Sequence, residues 1–241
     1  MKNHVVKVLK TDFLNPGVKR FVVKKPAGYH FIPGQATTIS INEPKFTNQS
    51  RPFTFTSVTQ SNHLEFIIKT YPERNGVTKK LLEIKSGDEL IIHEAFGTIR
   101  YQGPGLFIAG GMGITPFVAI LRQLELQGRL AGNALLFANR AATDIILKDE
   151  LKGMLGNNYV NILETTADPN TKNGFIGSKL LKQYATPDKA YYYICRPEKF
   201  TIIIIKHLLT LGIEKSRIII EKQQPGSAFS SVMLNPPGQL N

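Results

Sequence analysis

At Gly103-Pro104-Gly105 the chain changes its rhythm, and that change limits the fold more than any other feature of the sequence. Ahead of it, apolar residues come in short β-type runs: His4 to Val8, Lys19 to Lys24, Thr37 to Ile41, Phe53 to Val58, Leu64 to Thr70 and Glu89 to His93. Turn residues such as Pro33-Gly34 and Ser86-Gly87-Asp88 separate them. Short strands spaced by turn signals imply a small antiparallel barrel. One helical insertion, Val77 to Ile84, opens at Gly76. Behind the junction, strands alternate with helices. The strands are Leu106–Ala109, Ala134–Ala138, Val160–Thr165, Tyr191–Cys195 and Arg217–Glu221, and the helices Pro116–Gln127, Thr143–Met154, Ser178–Tyr184 and Pro197–Leu211. Such alternation means a parallel sheet with crossover helices, whose ligands bind at the carboxyl ends of the strands. The expected architecture has two domains. A six-stranded antiparallel β-barrel occupies 1–102, and an α/β parallel-sheet domain occupies 103–222. The 223–241 segment, rich in Pro, Gly, Ser, Gln and Asn, has the composition of a flexible tail.

The stretch LFIAGGMGITPFVAILRQL, residues 106–124, is the clearest strand–turn–helix junction. Phe117, Ile120, Leu121 and Leu124 recur at helical spacing, and Gly128 is placed to end the helix. Thr115 fits an N-cap, and Pro116 fits the first turn, where its missing N–H costs nothing. Gly110, Gly111 and Gly113 then sit where bare backbone N–H groups and a helix dipole make an anion site. A tight structural turn is the plainer alternative; three glycines in this context favour phosphate.

Composition closes off several classes. Hydrophobic content of 42% and charged content of 20% over 241 residues are those of a soluble globular protein. No apolar run is long enough to span a membrane, and MKNHVVKVLKTD lacks a signal-peptide core, so no membrane insertion and a cytoplasmic location are expected. The lone Cys195 excludes an internal disulfide and a cysteine-ligated cluster, and the five histidines show no spacing for a metal site. A net charge of +12 favours acidic partners. The lysines are scattered rather than clustered, which favours an acidic protein or a phosphate-bearing ligand over nucleic acid.

Several motifs, taken in order, resemble those of the ferredoxin–NADP reductase superfamily, particularly its bacterial flavodoxin/ferredoxin reductase-like members. FIPGQ at 31–35 resembles the barrel motif preceding the flavin site, and RPFT at 51–54 the Arg-x-Tyr-Ser/Thr signature. GVT at 76–78 is similar to the turn against the flavin diphosphate, GGMGITP to the nicotinamide-nucleotide turn, and CRP at 195–197 to the family's Cys-Gly-Pro. The resemblance implies FAD on Arg51, Pro52, Phe53, Thr54, Ile68, Lys69, Gly76, Val77 and Thr78. It implies NADP, or NAD, on Gly111, Gly113, Thr115, Pro116, Arg140, Cys195 and Pro197. Thr54, Cys195 and Glu221 are its implied catalytic residues, and no metal is implied.

The chemistry suits these residue types. Arg51 can pair with a diphosphate as no neutral residue can, and Phe53 offers an aromatic face. Taken alone, Arg51 reads rather as a solvated strand residue and Phe53 and Phe55 as core. Arg140 ends FANR as a cation able to meet a 2′-phosphate or simply to be solvated. Phe53 stands where the family has Tyr, Arg196 where it has Gly, and Thr78 carries a hydroxyl that many members place one residue later. With a single cysteine in the 241 residues, no four-cysteine iron–sulfur domain is expected. The resulting expectation is a monomeric FAD-dependent oxidoreductase that moves hydride between NAD(P)H and flavin. Its electrons go to an acidic carrier, flavodoxin or ferredoxin. The alternatives are the reductase component of an oxygenase or larger flavoprotein assembly, and a non-catalytic regulatory module of the same fold.

Overall fold

The computed structural model of the chain describes residues 3–73, 75–97, 99–165, 172–184, 190–195 and 198–221. Arg196, Pro197 and the 223–241 tail lie outside the described residues. Two compact units emerge, one of residues up to Arg100 together with Thr115–Gln127, the other of Tyr101–Ile114 and residues from Gly128 on.

The first unit is antiparallel. Its strands are β1 (His4–Asn15), β2 (Val18–Lys24), β3 (Ala36–Ile41), β4 (Arg51–Thr54), β5 (His63–Lys69) and β6 (Glu89–Ile92), in the order β4-β3-β6-β1-β2-β5. A bridge between Phe55 and Phe66 links the β4 end of that order to β5 and closes the barrel. Inward residues from all six strands or their flanks, among them Val6, Phe21, Ile39, Phe55, Phe66 and Leu90, form one core. The run expected as a strand over Phe53 to Val58 pairs regularly only to Thr54. Beyond it the chain leaves β3 and ties to β5, where the Thr56 N–H reaches the Glu65 carbonyl at 2.9 Å and Ser57 Oγ accepts the Glu65 N–H at 3.1 Å.

The helical insertion is shorter than its apolar spacing predicts. Helix α1 covers only Val77–Lys80, after which Leu82 and Glu83 turn through bonds to carbonyls three residues back. The reason is Lys19, a buried cation in β2. Its Nζ donates to the carbonyls of Leu81 at 3.3 Å, Leu82 at 2.9 Å and Ile84 at 2.5 Å, drawing them away from a helical course.

Helix α2 (Thr115–Leu126) also belongs to this unit. Nine of its twelve residues are buried, which an amphipathic surface helix would not show. Gly34 explains how closely it approaches the barrel. With φ +95°, a side chain there would strike the Ile99 carbonyl and come within 3.2 Å of Ile120 Cδ1.

The second unit is a parallel sheet of β7 (Gly105–Gly110), β8 (Ala134–Asn139), β9 (Tyr159–Leu163), β10 (Lys172–Asn173), β11 (Tyr191–Cys195) and β12 (Ile218–Ile220), ordered β10-β9-β8-β7-β11-β12. Helix α2 connects β7 to β8, and α3 (Lys148–Leu155), α4 (Ser178–Tyr184) and α5 (Glu198–Thr210) are the later crossovers. Leu106, Ile108, Leu136, Ile162, Tyr192 and Ile194 pack with Leu181 of α4 and Ile204, Ile205 and Leu208 of α5. On β11, Tyr192 and Tyr193 are both fully buried. Neighbouring residues, which point to opposite faces, are both covered because the strand lies inside the sheet, between β7 and β12. The helix expected over Thr143 to Met154 divides into a 3-10 turn, Ala142–Asp144, and α3. Ile145 is extended and Leu147 left-handed at φ 55°, which breaks the helical course.

Candidate flavin and pyridine-nucleotide sites

In the barrel, pairing with β3 fixes the RPFT residues, Arg51 opposite Ile39, Pro52 opposite Thr38, Phe53 opposite Thr37 and Thr54 opposite Ala36. Arg51 and Pro52 are exposed, Phe53 and Thr54 half-buried, and Phe53 rests on the barrel core. The Arg51 guanidinium donates to the neighbouring Ser50 carbonyl at 2.8 Å, which leaves further donors on its fork. Ile68 is buried, whereas Lys69 is exposed with its Nζ 5.9 Å from the Tyr71 ring.

Gly76, at φ 117°, precedes α1 and supplies no side-chain cap. The first N–H groups of the turn therefore have no intrahelical acceptor, the usual condition of a helix start. The segment leading into Arg51 runs beside this turn. Lys80 Nζ meets Glu43 Oε1 at 3.3 Å, and Gln49 Oε1 lies 3.7 Å from where a Gly76 Cβ would stand. Gln49, two residues before Arg51, thus stands against the uncapped turn. A guanidinium with spare donors and the first N–H groups of a turn that no side chain caps among the described residues are donors of the kind a diphosphate takes, and the half-buried Phe53 suits a flat ring. Lys19, anchoring the chain just after α1, fixes this turn from below.

In the second unit, the carboxyl ends of four strands meet at one edge. Cys195 is in register with Ala109, Gly110 with Ala138, and Ile194 with Ile220, so that Cys195 and Glu221 come one step later on adjacent strands. Past Gly110 the chain makes a 3-10 turn, Gly111–Ile114, and runs straight into α2. Thr115 is thus the first residue of the helix rather than its cap. Gly111 has φ +51°, and nothing lies within 4 Å of a Cβ built on it, so its bareness serves no packing neighbour. This leaves room for a ligand against the backbone. Arg140 is exposed after β8, and its carbonyl takes the Thr165 N–H at 3.1 Å.

Burial pushes the Cys195 thiol up to about 12, with the Glu221 charge adding to the shift. The surrounding protein likewise raises the Glu221 carboxyl above its ordinary value, although the residue keeps contact with solvent. A thiol in that state is a proton-bearing, weakly polar group and not a nucleophile. Pro197, the remaining expected ligand, falls outside the described residues.

Two groups escape a reading of the sequence. Arg122 of α2 donates to Glu65 Oε1 at 2.6 Å and to the Thr56 carbonyl at 2.8 Å, while the Thr56 hydroxyl donates to the same Glu65 oxygen at 2.8 Å. Gln123 Oε1 accepts the Thr59 N–H at 3.2 Å. These bonds hold the helix that follows the glycine turn onto the barrel strands, and no local pattern announces them. The second is Asn139, which ends the otherwise apolar run ALLFAN and is buried. A polar residue closing such a run at a strand's carboxyl end was the available signal.

Known proteins resemble both parts of the chain. Residues 2–104 match the model of an FAD-binding domain, and residues 107–204 that of an oxidoreductase NAD-binding domain. The chain is 27% identical over 220 residues to the reductase component of propane 2-monooxygenase from Rhodococcus jostii, covering 84% of this chain but only 58% of that protein. It is 28% identical over 240 residues to NADH-cytochrome b5 reductase 1 of Aspergillus terreus, covering 90% of this chain and 79% of that one. Among solved structures, a ferredoxin NADP+ reductase from Neisseria gonorrhoeae with bound FAD and NADP has a TM-score of 0.79 at 21% identity, covering 91% of this chain and 98% of that one. An Amycolatopsis cytochrome P450 reductase has a TM-score of 0.80 at 18% identity, covering 94% and 71%. These structural likenesses concern the fold.

Proposed function

Since the chain belongs to the ferredoxin–NADP reductase superfamily of FAD-dependent, NAD(P)H-linked reductases, we propose that it oxidises NAD(P)H and delivers the electrons to an acidic carrier protein of the flavodoxin or ferredoxin kind. On this reading the FAD domain is 1–102 and the nucleotide domain 103–222. The flavin supplies the redox chemistry, taking a hydride and giving up electrons singly. The chain's residues bind and orient. Arg51 and the N–H groups of the Gly76–Thr78 turn hold the diphosphate, with Ile68 and Lys69 beside them at the end of β5. Phe53 packs on the ring and Thr54 offers a hydroxyl. The Gly111–Gly113 turn admits the nucleotide phosphates, continued by Thr115 and Pro116, and Arg140 receives a 2′-phosphate. Cys195 and Glu221 shape the nicotinamide end, with the thiol protonated throughout.

The observation that carries this reading is the bare Gly111, left-handed and open on its Cβ side at the carboxyl edge of a parallel sheet. The acidic carrier rests on the net charge of +12, which steers an anionic partner. A second reading, the reductase component of an oxygenase, is favoured by the Rhodococcus relative that bears that description. The purified chain should be yellow, and its flavin absorbance should bleach on adding NADPH or NADH. A colourless protein that takes up no FAD would instead be a binding module of the same fold. Turnover with flavodoxin, ferredoxin and an oxygenase component then separates the acceptors.

A further inference from the structure

Arg122 and Gln123, neighbours on α2, grip the chain just past the RPFT motif. One nitrogen, Arg122 Nη1, donates to the Thr56 carbonyl at 2.8 Å and to Glu65 Oε1 at 2.6 Å. The Thr56 hydroxyl donates to that same Glu65 oxygen at 2.8 Å. Thr56 is therefore held at its carbonyl and at its side chain within one closed loop of bonds. Gln123 Oε1 takes the Thr59 N–H at 3.2 Å. Ladder pairing with β3 has ended at Thr54, so these ties, together with those to the Glu65 backbone, place the segment that follows.

The ion pair is a poor choice if stability were its whole purpose. Its side chains are only 17% and 10% exposed, and the cost of desolvating such a pair offsets most of its attraction. Apolar residues of similar volume would seal the same contact. They would not fix its direction, which hydrogen bonds do. What the bonds fix lies close to both sites. Thr56 is two residues past Thr54, and Glu65 is three residues before Ile68, both assigned above to the flavin. The Gly111–Ile114 turn runs straight into α2, whose residues are mostly buried, and Arg122 lies roughly two helical turns along it. We propose that Arg122, supported by Gln123, is a positioning residue for hydride transfer, tying the flavin-bearing strands to the helix that continues the nucleotide turn. It acts through Thr56, Glu65 and α2, and so governs how the nicotinamide meets the flavin. The proposal rests on the flavin and nucleotide readings of these motifs. A misplacement of about 1 Å in such an approach can cost roughly a hundredfold in rate.

The test follows flavin reduction of the full FAD-loaded chain by saturating NADPH, or NADH where that is the better donor, in stopped flow well below the melting temperature of each variant. The double variant Arg122→Met, Glu65→Leu should keep its FAD and bind NADP+ within about twofold of wild type, yet reduce its flavin at least roughly tenfold more slowly, because a positioning loss shows in the limiting rate and not in binding. Leu90→Ala, a buried truncation in β6 that weakens the barrel without touching these ties, should reduce its flavin at the wild-type rate. Gln123→Leu loosens the second tie and leaves the ion pair whole; it should slow the step at least roughly threefold. A wild-type rate in the double variant, or in Gln123→Leu should the double variant not fold, would overturn the proposal. So would an equal slowing in Leu90→Ala, which would mean that any weakening of the barrel slows the step. A wild type whose flavin neither NADPH nor NADH bleaches would overturn the underlying reading as well.

Discussion

Arg122→Met should destabilise the first unit by about 3 kcal/mol, although the residue lies in the helix that follows the nucleotide turn. The side chain donates to the Glu65 carboxylate at 2.6 Å and to the Thr56 carbonyl at 2.8 Å. Its partner is only 10% exposed and Arg122 itself 17%. Removing one member of a buried pair costs roughly 3–5 kcal/mol, because the other charge stays buried without its counter-ion. Residual solvent access at Arg122, and the Thr56 hydroxyl that remains on Glu65, place the loss at the lower end. For a chain of this size that is a fall in Tm of about 6–12 °C. Urea unfolding followed by circular dichroism would measure it, with Glu65→Leu and the double variant completing a cycle. The double variant should recover part of the loss, since two well-packed apolar residues replace a pair whose desolvation is costly. A single-variant loss below about 1 kcal/mol, the range of exposed pairs, would refute the view that this pair holds α2 on the barrel.

Three further outcomes follow from the sites. Arg51→Ala should weaken FAD binding by roughly 1.5–3 kcal/mol, or about 10- to 150-fold in the flavin dissociation constant, and an unchanged constant would remove Arg51 from the site. Cys195→Ala should slow flavin reduction by NADPH at least roughly tenfold in stopped-flow traces while FAD content holds. With its thiol pushed up to about 12, the folded chain keeps a proton that the unfolded chain loses near pH ~8.5. Its stabilising effect is therefore complete below pH ~8.5 and fades as pH climbs toward 12, so wild type should lose stability relative to Cys195→Ala between those values in urea titrations. Finally, association with an acidic carrier should slow steeply as salt rises through ~0.1 M, where the Debye length is about 10 Å; a rate indifferent to salt would assign the basic surface another task.

The order of strands and helices along the chain was legible without coordinates, because period-two runs, helical spacing and glycine–proline punctuation are properties of a few neighbouring residues. β11 at Tyr191–Cys195 and α4 at Ser178–Tyr184 fall where the local pattern puts them, and the glycine turn lies between a strand and a helix as its composition requires. Local patterns failed where a distant group intervened. Lys19 stops α1 early from some sixty residues away, acting on carbonyls that no window around Val77 contains. Burial of Tyr192 and Tyr193 on both faces needed the strand order, since only an inner strand is covered twice. The attachment of α2 to the barrel through Arg122 and Glu65, 57 residues apart, and the lack of a partner for the Asn139 amide among the described residues were likewise decided by topology. Whether a polar side chain finds a partner is a property of the space around it, and only the tertiary fold brings distant residues into that space or keeps them out of it.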